Sequence, residues 1–269
     1  LFEENRIDSN RCSGSIYTAY LYYCGSLRVA RNSITHNSGG STVGFFYGFL
    51  FYYGDNLWVN SNLIAKNYGY TANYNFYSYG FSSGFTCDIR QNTLHTRPSN
   101  YIYHFCYGYL FQETNSNLSF VGNILDADAN YYIYPVYLLA NNAANVKEIN
   151  HNSYLMTGSG TQVWRSGTSN YSNYNSWKGD ILVGAQDNYT NPQWVDFAKL
   201  DMRSNSFETQ NNKPTSTTFN LDLSKKVRNR NRSDRGALEN YMDITAFQCR
   251  TQIPSSVCAG FSTPARISI

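Results

Sequence analysis

Along residues 1–160 one polar residue returns at a near-constant interval inside a fixed apolar frame. Asn5, Asn32, Asn62, Asn92, Asn123 and Asn152 are separated by 27, 30, 30, 31 and 29 residues. Three positions before each stands an apolar residue: Phe2, Val29, Val59, Ile89, Phe120 and Ile149. Two positions after each stands another: Ile7, Ile34, Ile64, Leu94, Leu125 and Tyr154. A period of this size with one internal frame predicts a solenoid in which each repeat stacks on its neighbour. The frame reads Leu27-Val29-Asn32-Ile34, Leu57-Val59-Asn62-Ile64, Cys87-Ile89-Asn92-Leu94 and Leu118-Phe120-Asn123-Leu125. Alternation at spacing two predicts a strand with one buried face. The Asn then marks a bend, and a second short strand follows. Lys147 stands where the last repeat should open on an apolar residue, as if the repeat decayed towards a terminus.

The period extends beyond this frame. Leu21, Phe51, Phe81 and Phe111 are thirty apart, and Tyr22-Tyr23 matches Tyr52-Tyr53 in phase. The aromatic runs Phe45-Phe46-Tyr47, Tyr101-Ile102-Tyr103 and Tyr131-Tyr132-Ile133-Tyr134 fall in the other half of each repeat. Each coil therefore carries two or three short strands and no helix, because the Gly and Asn between strands break one. Stacked coils pair equivalent strands in parallel, about 4.8 Å apart. An inward Asn at each bend can then hydrogen-bond the Asn of the next coil, so that a buried polar ladder is satisfied at every step. Asn also tolerates the left-handed backbone that a bend requires.

Composition agrees with a β-rich chain and narrows the partners. Charged residues make up 14% and aromatics 17%, with 25 Tyr. Such a chain draws its polar surface from Asn, Ser, Thr, Tyr and Gly, and these types favour strands and turns over helices. The net charge of +3 conceals one basic segment: Lys225, Lys226, Arg228, Arg230, Arg232 and Arg235. Apart from those six and Asp234, 15 basic and 17 acidic residues remain of 21 and 18. The segment is expected to be a solvated or anion-facing loop, since nothing else in the chain supports nucleic-acid binding. No apolar run of about 18 residues predicts a membrane span. The chain opens at Leu1 inside a repeat, as expected of a fragment or a processed product. Six cysteines without metal spacing suit disulfides in an oxidising compartment. Cys249–Cys258 is the expected pair, and Cys87 stands in a frame position held elsewhere by leucine. N-x-S/T acceptors occur at Asn117, Asn170, Asn188 and Asn231.

The repeat frame resembles that of right-handed parallel β-helix proteins, the pectate-lyase-like superfamily. The tail adds to the likeness. Asn175-Ser176-Trp177, Asn191-Pro192-Gln193-Trp194-Val195-Asp196 and Asp201-Met202-Arg203 are similar to the segments that follow the last coils in secreted bacterial members. Gly236-Ala237-Leu238-Glu239 resembles their closing element. Asn191 departs from the usual Asp, and Lys213-Pro214-Thr215 stands where a Pro-Ala-Ile-Asp segment is expected. The resemblance implies a lyase chemistry where activity exists. A Lys or Arg abstracts a proton beside a sugar carboxylate that Ca²⁺ neutralises. Lys66 or Arg97, with His95 nearby, would serve as base, and Asp126 and Asp128 as metal ligands. These side chains are expected to form one strip after the bend. Two carboxylates are few for Ca²⁺, and solvated side chains at the bends are the simpler expectation.

The tyrosine surplus points elsewhere. Tyr47, Trp58, Tyr77, Tyr103, Tyr107, Tyr132 and Tyr134 are candidate contacts for a glycan or a protein neighbour. Trp164, Trp177 and Trp194 are expected to anchor a cap. The sequence thus predicts an all-β, right-handed parallel β-helix over 1–160, an irregular C-terminal cap over 161–240 and a disulfide-linked tail over 241–269. The expected role is non-enzymatic and extracellular or at the cell surface, with a polysaccharide or a surface-assembly protein as partner and no cofactor. A polysaccharide lyase, with Ca²⁺, is the alternative.

Overall fold

The computed structural model describes residues 1–40, 43–80, 86–96, 101–112, 117–139, 146–181, 186–189, 191–204, 206, 221–228 and 234–238. It is an all-β solenoid of about five turns, built from stacked parallel coils of about 30 residues. Each coil offers three faces. The first face runs through the leading parts of Ile16–Ala30 and Phe45–Asn60, then Ala72–Tyr79, Phe105–Phe111 and Tyr132–Leu138. The second face takes Phe2–Glu3, the trailing parts of the same two long strands, then Thr86–Arg90, Asn117–Val121 and Val146–Asn150. The third face comprises Arg6–Asp8, Ser33–Thr35, Leu63–Gly69, Thr93–Thr96, Ile124–Asp128 and Ser153–Thr157.

Register follows the apolar frame. Phe2, Val29, Val59, Ile89, Phe120 and Ile149 pair in one vertical column. Ile7, Ile34, Ile64, Leu94, Leu125 and Tyr154 pair in another. Both columns line the core, with all members but Phe2 and Ile7 fully buried. Lys147 does not degrade the last repeat. Val146 pairs with Leu118 and Glu148 with Ser119, so Lys147 is a bulged, exposed extra residue and Val146 supplies the apolar position. The thirty-residue phase of Phe51 and Phe81 is also corrected. Phe51 pairs with Ser78, and Ser78 with Phe111, because the first strand of the third coil begins early; Phe81 lies outside the described residues.

The Asn ladder forms throughout. The Nδ2 of Asn5, Asn32, Asn62, Asn92 and Asn123 each donates to the Oδ1 of the next Asn at 2.9–3.0 Å. The backbone N–H of each donates to that same oxygen. The ladder ends on Asp187, whose Oδ1 accepts from the backbone N and Nδ2 of Asn152 at 2.7 and 3.2 Å. Asp187 Oδ2 takes the hydroxyls of Tyr174 and Tyr154. The left-handed residue of each bend is the one before the Asn, not the Asn itself. Glu4, Arg31, Ser61, Gln91, Gly122 and His151 have φ of 55–67°. That turn aims the following Asn side chain along the stack. A second ladder, Asn10–Asn37–Asn67, repeats the device five residues on, again after left-handed Ser9, His36 and Lys66.

Packing rather than cross-linking accounts for Cys87 and Cys106. No disulfide joins the described cysteines: Cys12, Cys24, Cys87 and Cys106 are all thiols. Cys87 fills the buried column between Leu57 and Leu118. Cys106 is buried on the first face between Asn73 and Ile133, pointing into the core. Cys249 and Cys258 fall outside the described residues. The far end of the coil stack is closed by Trp164 and by Trp177 of the helix Tyr174–Ile181, their rings 5.0 Å apart and fully buried.

Replacing Asn92 by Ala removes the acceptor of two Asn62 donors and the donor that reaches Val59 O. The expected loss is about 3 kcal/mol or more, because each buried orphan costs about 1–3 kcal/mol. Urea unfolding of the variant checks this; a loss below 1 kcal/mol would show that the ladder contributes little.

Candidate functional site

Two groups of sequence candidates lie on different faces, and the fold treats them in opposite ways. Of the strip expected for catalysis, Lys66, His95 and Asp126 lie on the third face and are covered, while Asp128 at the end of the same strand is half-buried. The segment 194–203, a hairpin of Trp194–Asp196 and Asp201–Ser204, folds back over the first three. Lys66 Nζ donates to Ala198 O at 2.9 Å and stands 4.5 Å above the Phe197 ring. The His95 ring packs on the same Phe197, with centroids 4.6 Å apart. Asp126 Oδ2 accepts from Trp194 Nε1 at 3.0 Å and lies 3.9 Å from His95 Nε2. Stacking does bring His95 and Asp126 together, as the period implied, but beneath the chain's own tail. Arg97 lies outside the described residues. Among the described residues no group of three or more His, Cys, Asp or Glu side chains is arranged to hold a metal.

The basic segment behaves similarly, and the expectation of a solvated loop is corrected for Arg228 and Arg235, which are buried. Arg228 Nη2 donates to Ser61 Oγ and to the carbonyls of Gly236 and Ala237, and Arg235 Nη1 to Asn152 O. Lys225 and Lys226 are exposed, and Arg230 and Arg232 lie outside the described residues. Gly236 closes the docking: its φ is +87°, and a Cβ there would meet Thr93 Oγ1 at 2.6 Å and Ile124 Cδ1 at 2.8 Å.

Among the described residues nothing covers the first face, and it carries the tyrosines. Tyr17, Tyr47, Tyr74, Tyr107 and Tyr134 are in register. Their rings stack at 4.6–4.8 Å with interplanar angles of 5–6°. Beside them run Tyr20, Leu50, Tyr77, Leu110 and Tyr137, then Tyr22, Tyr52 and Tyr79. Phe45, Phe105 and Tyr132 form the opposite margin. The intervening positions, such as Phe46, Phe49, Phe76 and Tyr109, point into the core. Alternation along the strand thus splits the aromatic surplus into a packed interior and an outer sheet of rings.

Because the stacked rings cover one another's faces, the surface they present is ring edges and hydroxyls. Tyr17, Tyr20 and Tyr22 are about half exposed and Tyr47, Tyr74 and Tyr107 less so. Burial among neighbouring rings pushes the hydroxyls of Tyr47, Tyr77 and Tyr107 far up, so they stay neutral. Tyr77 donates to Gln112 Oε1 at 2.7 Å. Through the coils that end at Tyr132–Leu138 these four columns carry no Asp, Glu, Lys or Arg; Arg165 continues the Tyr20–Tyr137 column in the next strand and stands 4.7 Å over the Tyr137 ring. Two candidates fall elsewhere. Tyr103 sits in a turn, its ring edge-on to Tyr131, because Phe105–Tyr107 rather than Tyr101–Tyr103 takes the sheet register. Trp58 lies on the second face between Arg28 and Asp88.

Comparison of the chain with protein-family models, curated proteins and solved structures finds no match. Among the described residues no helix is long and apolar enough to cross a membrane.

Burial beneath Trp194 and Phe197 raises Asp126 from its ordinary value to about 6, against the indole hydrogen bond that lowers it; Asp128 adds a smaller upward push. The folded chain therefore holds this proton more tightly than the unfolded one. Stability is expected to fall as pH rises from about 4 to above 6, apart from any contribution of nearby His95. Asp126→Asn keeps the acceptor for Trp194. It should flatten that part of the stability–pH curve measured by thermal unfolding. An identical pH dependence in both proteins would contradict the assignment.

Proposed function

We propose that this chain is a non-enzymatic, extracellular or cell-surface β-solenoid that binds an uncharged polysaccharide on its tyrosine face. The observation that carries the reading is the five-deep tyrosine stack, flanked by further aromatic columns, with Arg165 at one end as the single charged side chain in those columns among the described residues. Amphipathic rings supply apolar contact at low entropic cost, and their hydroxyls exchange hydrogen bonds with sugar hydroxyls. Since ring edges rather than ring faces are presented, the fitting partner is a flat polymer that touches several coils at once. A largely neutral face suits a neutral polymer and offers an acidic one a counter-charge at Arg165 alone among the described columns. Membership of the pectate-lyase-like superfamily belongs to the same proposal and rests on the coil frame and the tail segments. The lyase alternative is disfavoured by the burial of Lys66, His95 and Asp126. Exposed Asn117 and Asn170 are open to glycosylation in a host that performs it.

The test is co-sedimentation with insoluble neutral polysaccharides, cellulose and chitin, beside soluble acidic ones. Tyr17→Phe/Tyr20→Phe retains the rings and removes hydroxyls; Tyr17→Ala/Tyr20→Ala removes both. Binding to a neutral polymer is expected, weakened by the Phe pair and weakened further by the Ala pair. Absence of binding to every neutral polymer would refute the reading, and concentration-dependent self-association in its place would assign the face to protein assembly.

A further inference from the structure

Where the first face turns into the second, the corner residue is left-handed in three successive coils: Tyr23, Tyr53 and Gly80, with φ of 49°, 54° and 75°. A left-handed corner favours Gly or Asn, and a bulky residue there is a genuine outlier. Two consecutive tyrosines in that conformation hold their rings together outside the coil. The Tyr23 and Tyr53 rings stack with centroids 4.9 Å apart and planes 17° apart. Tyr23 is 70% exposed. Gly80 supplies the bed on the other side: a Cβ there would lie 2.5 Å from Tyr53 Cε1. The stack is therefore only two rings deep, open to solvent at one end and bounded by a residue without a side chain at the other.

We propose that Tyr23 and Tyr53 are an oxidative cross-linking site, coupled to dityrosine by a haem peroxidase acting with hydrogen peroxide. Each phenol gives up one electron and one proton to the oxidised haem and becomes a phenoxyl radical. The two radicals join through their ortho carbons. The two ortho hydrogens then move to the oxygens, so one C–C bond forms and two C–H bonds break. In sum the protein loses two hydrogen atoms, and one peroxide is reduced to two waters. The new bond requires the rings to leave their parallel arrangement and turn about it. Tyr22 touches both rings, and Tyr52 and Tyr79 touch Tyr53, but only edge-on. Among the described residues no further ring is stacked on either outer face, which separates this pair from Tyr17 and Tyr47, stacked as closely. Tyr47 is held from the other side by Tyr74 and lies against Phe45. The product would staple the first coil to the second, closing a loop between residues thirty apart, and would act on the unfolded chain as a disulfide does.

The test treats the full chain with horseradish peroxidase and hydrogen peroxide at high dilution, followed by peptide mapping by mass spectrometry. The expected product is a linked peptide containing Tyr23 and Tyr53, two hydrogens lighter than its parts, with dityrosine fluorescence and a raised unfolding temperature. Tyr23→Phe and Tyr53→Phe, with unchanged circular dichroism, should lose that peptide, and Tyr17→Phe should keep it. Links spread over Tyr17, Tyr20, Tyr22 and Tyr103 in proportion to exposure, or links only between molecules, would overturn the proposal. The wild-type map alone decides this if a variant fails to fold.

Discussion

The interaction on which this structure depends is one carboxamide oxygen accepting two donors from the coil before it. Each ladder Asn after the first offers Oδ1 to the backbone N–H and Nδ2 of its predecessor and gives its own backbone N–H and one Nδ2–H forward, while Nδ2 also reaches back to a carbonyl of the preceding coil. The arrangement is directional. It needs an acceptor after Asn152, and Asp187 is that acceptor, steadied by two tyrosine hydroxyls. A coil displaced by one residue would orphan both donors and turn its apolar frame outward. The ladder therefore fixes the register on which every vertical column, including the tyrosines, relies.

The frame was legible because it repeats with almost no insertion. The second ladder was legible in principle, since Asn10, Asn37 and Asn67 follow the first at a constant offset of five; it spans only three coils. Lys147 misled because a single bulged residue shifts the alternation without changing the fold. The tyrosine column could not be found from a thirty-residue period. Its steps are 30, 27, 33 and 27 residues, as turns of unequal length precede each strand. The fate of the catalytic candidates was not legible at all. Trp194 reaches Asp126 across 68 residues and Lys66 reaches Ala198 across 132. No local pattern in the sequence encodes such contacts.

The two sides of the molecule obey one rule of burial with different results. On the third face, charged and ring side chains meet a tail that supplies a carbonyl, an indole N–H and a phenyl ring, and buried arginines secure the tail to main-chain oxygens. On the first face no described segment returns, and rings shield one another instead. Stacking explains how so aromatic a surface can remain almost uncharged and ordered. It also explains why the proposed partner is a flat polymer and not a single sugar.

Amide hydrogen exchange in Asn123→Ala tests the ladder most directly. The Asn92 amide, whose acceptor is Asn123 Oδ1, should lose protection, while the amide at position 123, which donates to Asn152 Oδ1, stays protected. Equal loss at both positions, or no loss at Asn92, would contradict a directional ladder.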